Sequence, residues 1–154
     1  LPKINSVTEL NLPAFDYKLK KAEGKVWIFD IIRKKFVVLL PEEWVRQHVI
    51  HYLINHLGYP KSLIRIEGGL RYNQRVKRAD VVVYDRAGAP WMLVECKAPS
   101  EPVSDQTLHQ ASIYNMSLKA RYIVLTNGLV QYVAVTDELQ KKASLLQAMP
   151  SFGE

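Results

Sequence analysis

Two apolar runs, Val81-Val82-Val83-Tyr84 and Trp91-Met92-Leu93-Val94, constrain the fold of this chain more than any other stretch. Both are rich in β-branched and aromatic residues, and Gly88 and Pro90 punctuate the link between them. They read as an antiparallel hairpin. Arg78-Ala79-Asp80 leads into the first run and Glu95-Cys96-Lys97 closes the second. Side chains alternate along a strand, so Glu95 and Lys97 share one face while Val94 and Cys96 take the other. Pairing of Tyr84 with Trp91 sets Asp80 directly opposite Glu95, on that same face. Cross-strand partners have Cβ atoms about 4.5–5.5 Å apart, and like charges there repel. A hard divalent cation held by carboxylate oxygens offsets that repulsion.

Because the hairpin is apolar on both faces, it belongs in a sheet covered by helices on both sides, a mixed α/β sandwich. The 154 residues suffice for one domain with an ordinary core. Lys and Arg exceed Asp and Glu by 21 to 15, for a net charge of +6, which favours a polyanionic partner. No apolar run approaches the roughly 18–20 residues of a membrane span, and no signal-peptide pattern precedes the fold. The single Cys excludes an internal disulfide and suits a reducing cytoplasm, the expected location.

Along the chain, residues 1–24 read as a loosely held arm, 25–146 as one α/β domain and 147–154 as a frayed tail. Lys25–Asp30 and Lys35–Leu40 form a second expected hairpin around Arg33-Lys34. Pro41-Glu42-Glu43 opens a helix, since proline fits the first turn and acidic residues suit the positive end of the dipole. Val45, Val49, Ile50, Leu53, Ile54 and Leu57 give that helix its apolar stripe, and Gly58 with Pro60 stops it. Leu63–Glu67 reads as a strand, and Ser104 caps a helix running to about Leu118. Arg121–Leu125 and Leu129–Val135 are strands around the turn pair Asn127-Gly128. From Asp137 onward a short third helix is expected.

On these residues alone, Asp80 and Glu95 are candidate metal ligands, with the Cys96 backbone carbonyl as a third donor. Lys97 stands beside them, to orient a water, help it lose a proton or stabilise charge on a phosphoryl oxygen. Glu43 and Gln47 share a helix face with Ile50 and Ile54, polar only at its first turn. That face suits a carboxylate reaching over a site's rim, and equally a plain dipole-complementing Glu. Glu42 lies on a mixed line with Arg46, Val49 and Leu53. Gln110 and Tyr114 sit i, i+4 on the second helix and by themselves read as half-buried helix surface. Arg71, Arg75, Lys77 and Arg78 run into Asp80, where phosphate oxygens would arrive. His48, His51, His56 and His109 lack zinc-protease spacing, and Cys96 reads as a small core residue. No phosphate-binding Gly loop and no Gly-x-Ser-x-Gly elbow occurs.

With those residues in place, the chain resembles the PD-(D/E)xK nuclease superfamily. More closely, it resembles the domain at the N-terminus of type I restriction enzyme R subunits, including short stand-alone relatives. The resemblance spans most of residues 25–135. It rests on Pro41-Glu42-Glu43-x-x-Arg46-Gln47, Arg78-Ala79-Asp80, Val94-Glu95-Cys96-Lys97-Ala98-Pro99, Gln110-x-x-x-Tyr114 and Leu125-Thr126-Asn127-Gly128. Ala79 stands where the superfamily's name has Pro. The resemblance implies a restriction-endonuclease-like mixed sheet flanked by helices. It also implies magnesium (or manganese) at Asp80 and Glu95, Lys97 completing the core, Glu43 as the helix acid, and Gln110 and Tyr114 near the site or the DNA.

The expectation that follows is a magnesium-dependent endonuclease hydrolysing DNA phosphodiester bonds with weak sequence preference. A catalytically silent nucleic-acid-binding or assembly module, and an RNA-directed nuclease, are the alternatives. Expected partners are DNA, a second copy of the chain, and a separate motor or specificity protein, with no membrane.

Overall fold

The computed structural model describes residues 9–66, 71–72, 75–76, 80–137 and 142–153. The chain begins with β1 (Leu19–Ala22), β2 (Lys25–Asp30) and β3 (Lys35–Val38), followed by α1 (Pro41–Asn55) and β4 (Ile64–Arg65). A short pair, β5 (Arg71–Tyr72) and β6 (Arg75–Val76), precedes the central hairpin of β7 (Val81–Tyr84) and β8 (Pro90–Cys96). Then come α2 (Asp105–Leu118), β9 (Tyr122–Thr126), β10 (Gln131–Asp137) and β11 (Lys142–Leu146). Strands β1, β2 and β3 form their own antiparallel sheet, and a six-stranded sheet runs in the order β11-β10-β9-β8-β7-β4.

Only the β8–β9 pairing in the larger sheet is parallel. Parallel neighbours need a crossover, and α2 supplies it. Its start is fixed by Ser104, whose Oγ accepts the Thr107 N–H while Thr107 Oγ1 accepts the Ser104 N–H, a reciprocal capping box. The helices take opposite faces, as the two-sided apolar hairpin requires. Val45, Val49, Ile50 and Leu53 of α1 pack in one core with Val81, Val83, Met92, Val94 and Cys96. Val82 and Leu93 point the other way, packing with Ala120 against Tyr114 and Leu118 of α2.

Several expectations are corrected. The segment expected as a third helix from Asp137 onward instead ends in β11, which pairs antiparallel with β10 from Val133–Leu146 to Asp137–Lys142. Pairing satisfies backbone groups that β10 would otherwise leave open as a sheet edge. Tyr84 pairs with Pro90 rather than Trp91, because a bulge interrupts the hairpin between Val83 and Tyr84. Pro90 has no N–H for the ladder, and bulges accommodate such positions.

Of the expected N-terminal arm, the described residues 9–24 are not loosely held. Leu10 is buried, its neighbour Asn11 donates its backbone N–H to the Gly128 carbonyl, and β1 pairs with β2. Gly128 has φ of +85°, and a Cβ there would come within 2.8 Å of the Leu10 methyls. The tail is anchored too: Met149 is buried, and Phe152 donates its N–H to Leu57 and packs on Tyr59. No helix among the described residues is long and apolar enough to cross a membrane.

Candidate functional site

The site is assembled from the β2–β3 turn, the first turn of α1 and the ends of β7 and β8. Asp30 closes β2 and is fully buried. Its Oδ1 accepts the backbone N–H groups of Ile32 and Arg33 at 2.7 and 2.9 Å, the side-chain-to-backbone bonding by which Asp tightens a turn. Its Oδ2 accepts from Arg33 Nε at 2.6 Å and from Gln47 Nε2 at 3.0 Å. On α1, Glu43 is buried and accepts from Arg33 (2.9 Å), Arg46 (2.7 Å) and Gln47 (3.0 Å).

Arg46 carries this network to the large sheet. Its Nη2 reaches Glu42 Oε2 at 3.0 Å and Asp80 Oδ1 at 2.8 Å. Burial by itself lowers the guanidinium pKa, but Asp80 and Glu43 outweigh that and raise it, so the group stays charged. Asp80, just ahead of β7, is 3% exposed, and its Oδ2 accepts the Cys96 N–H at 2.6 Å. The central hairpin pairs Val81 with Val94. One further step in that register sets Asp80 across from Glu95.

Glu95 is half-buried, with Lys97 Nζ 3.7 Å from its Oε1. Loss of hydration raises its carboxyl pKa, Lys97 opposes the shift, and the negative charges of Asp80 and Glu42 add to it. By strand alternation Glu95 and Lys97 share the Leu93 face, the one toward α2, whereas Arg46 takes hold of the Asp80 carboxylate from the α1 side. Cys96 is buried with the α1 core; burial and then Asp80 push its thiol pKa well above the ordinary value, so it is protonated filling.

The structure thus gathers Asp80, Glu95, Lys97, Glu43 and Gln47 around one end of the sheet. Gln110 is exposed on α2, and Tyr114 packs on Val82 and Leu93, across the sheet from Arg46. Backbone positions of Arg71 and Arg75 lie in β5 and β6, and Lys77 and Arg78 fall outside the described residues. Sequence reasoning missed Asp30, Arg33 and Arg46 as members of the network. For Arg46 the signal was present, since Glu42 and Glu43 precede it by four and three positions on one helix. For Asp30 and Arg33 the pairing depends on a turn folding onto a distant helix.

The donor chemistry fits a magnesium-type ion. Loss of hydration, and after it the negative charges of Asp80 and Glu42, raise the Glu95 carboxyl pKa, which a cation beside it would offset, while Arg46 already bonds one Asp80 oxygen. Among the described residues, no three Asp, Glu, His or Cys side chains cluster into a ready metal cage. Magnesium is ordinarily held through one or two carboxylates with waters filling its other positions, so a pair suffices.

Residues 41–150 match the family described as the type I restriction enzyme R protein N terminus (HSDR_N). The chain belongs to that family. A solved fragment described as an HsdR subunit of a type I restriction enzyme from Vibrio vulnificus YJ016 has a similar fold. It is 24% identical with a TM-score of 0.53, over 73% of this chain. The match spans 24% of that structure's chain. No curated protein matches. The architecture is accordingly the restriction-endonuclease-like α/β fold, a mixed sheet flanked by helices on both faces.

Proposed function

We propose that the chain is a magnesium-dependent endodeoxyribonuclease, with manganese as a substitute ion, acting in the setting of DNA restriction. The observation that supports this reading is the register of the central hairpin, which pairs Val81 with Val94 and so directs the preceding Asp80 toward Glu95, whose Oε1 lies 3.7 Å from Lys97 Nζ. Family membership supports the restriction setting. Asp80 and Glu95 would hold the ion, with the Cys96 carbonyl as a further oxygen donor. When bound, it would supply positive charge to a phosphodiester oxygen and acidify a coordinated water.

The protein's own groups do the rest. Lys97, with its Nζ 3.7 Å from Glu95, can stabilise charge developing on the phosphoryl group. Glu43 holds Arg46 and Gln47 in place rather than standing free to act as a base. Arg71, Arg75, Lys77 and Arg78 would hold the strand by its phosphates. Gln110 and Tyr114 would act on DNA arriving along α2. A separate motor or specificity protein, or a second copy of the chain, would supply sequence choice.

The test is direct. Supercoiled and linear DNA are incubated with magnesium or manganese and wild-type, Asp80→Ala or Lys97→Ala protein. Wild type nicks and each variant loses at least about 100-fold in rate, the scale of one electrostatic or proton-transfer group. Equal nicking by all three removes these residues from the chemistry. Calorimetric titration with magnesium adds a readout without turnover, in which Asp80→Ala abolishes the binding heat.

A further inference from the structure

The outward face of the β1–β3 sheet is a second constellation, outside the family-matched residues 41–150. Pairing places Lys20, Trp27 and Val38 in one row across the three strands and Phe29 beside Phe36 in the next. The opposite face carries Leu19, Val26, Ile28 and Val37, which enter the core beneath. Trp27, Phe29 and Phe36 belong to none of the cores formed by the described residues. Three large rings, each partly exposed, therefore stand on the face of the sheet opposite its buried side.

What lies over those rings is cationic. Lys20 Nζ is 4.5 Å from the Phe36 centroid and 5.9 Å from that of Trp27, and Lys18 Nζ is 5.9 Å from the Phe29 centroid. Lys25 shares this face by alternation, and Lys34 and Lys35 follow at the exposed β2–β3 turn. The acids of the same sheet do not cancel this charge. Asp30 is buried and engaged by Arg33, leaving Glu23 at the β1–β2 turn. The ring lattice is also fixed in place: Trp27 Nε1 donates to the Ala22 carbonyl at 3.0 Å, and Phe29 meets Phe36 edge to face with centroids 5.3 Å apart.

We propose that this face binds single-stranded nucleic acid, with bases stacking on Trp27, Phe29 and Phe36 and phosphates lying along Lys18, Lys20 and Lys25. Aromatic platforms on a sheet, interleaved with cations, suit unpaired bases because every base has a π-face and every nucleotide a charge. A duplex hides its base faces and gains only the charge. An anionic bilayer calls for a continuous apolar patch with cations at its rim, whereas here the lysines lie over the rings themselves. The inference stands without the metal reading, since no residue of the acidic site takes part.

Fluorescence anisotropy of labelled oligothymidylate and oligouridylate, about 15 nucleotides long, tests it on the whole chain in EDTA, where no divalent ion contributes. Wild type binds the single strands more tightly than the corresponding duplex. Trp27→Ala and Phe36→Ala each weaken binding roughly 10-fold, while Trp27→Phe and Phe36→Tyr, which keep a ring, retain it. The two oligonucleotides distinguish a DNA from an RNA source of the same chemistry. Replacing Lys18, Lys20 and Lys25 together by Ala lowers the slope of log affinity against log salt by about 2. Tighter binding to duplex, affinity unchanged in both ring-to-Ala variants, or binding to phosphatidylserine vesicles in place of oligonucleotide overturns the proposal. Because cleavage is not measured, a failed nuclease assay leaves this result intact, and the converse holds.

Discussion

Arg46 bonds three carboxylates, Glu42, Glu43 and Asp80, and is itself 7% exposed. Removing one partner from such a buried pair strands the other charges away from water, at a cost of about 3–5 kcal/mol. Arg46→Met should therefore lower stability by that amount in urea titration at neutral pH. On the metal reading a second effect follows, because Arg46 occupies the Asp80 oxygen that an ion would seek. Manganese should raise the Tm of Arg46→Met by more than it raises that of wild type. Equal shifts in the two proteins would mean that Arg46 and the ion do not compete for Asp80. Sequence spacing already showed that Glu42 and Glu43 could reach Arg46. That Asp80 joins them, 34 positions away, depends on how α1 lies against the sheet.

Among the elements, α2 shows local coding most plainly. Its start follows from Ser104 and Thr107, with the helix running on to Leu118 as the sequence pattern indicates. Ser104→Ala should cost about 1 kcal/mol in urea denaturation, whereas Ser104→Gly should cost only a few tenths. Losses equal in the two variants would show that the cap contributes little. α1 begins without a side-chain cap, at Leu40, and relies on Pro41 and on Glu42 and Glu43 at its positive end. Much of its length is buried, including Arg46, Gln47 and His48, so its stability comes from surroundings more than from amphipathic pattern. The miss at β11 has the same root. Local composition after Asp137 suggested a helix, but an open edge on β10 supplied hydrogen bonds that the local pattern does not reveal.

At the scale of the whole molecule, the N-terminal segment closes over α1. Phe15 stacks on His51 at 4.2 Å and meets His48 edge-on at 4.7 Å, while Tyr17 packs against Trp44. Burial lowers the pKa of both histidines below the ordinary 6.5. An imidazole depressed in the folded state adds stability that is present above its unfolded pKa and is lost as pH falls through the folded one. Urea midpoints should therefore fall as pH drops below about 6.5, and His48→Phe should flatten that decline. Comparing the two proteins cancels the opposite contribution of Glu95, whose raised pKa favours the folded state in acid. An identical decline in both would show that His48 does not report on this packing.

The sequence by itself determined the central hairpin, both helices, the mixed sheet and the acidic and basic residues at the hairpin's end. Those signals are local: alternation, helical spacing, capping and turn residues act within a few positions of one another. Tertiary structure alone decided that Arg46 would hold Asp80, that Asp30 and Arg33 would join Glu43, and that β1–β3 would leave three rings outward. Such outcomes depend on which surfaces meet across the fold, and packing between distant segments leaves no periodic trace in the chain.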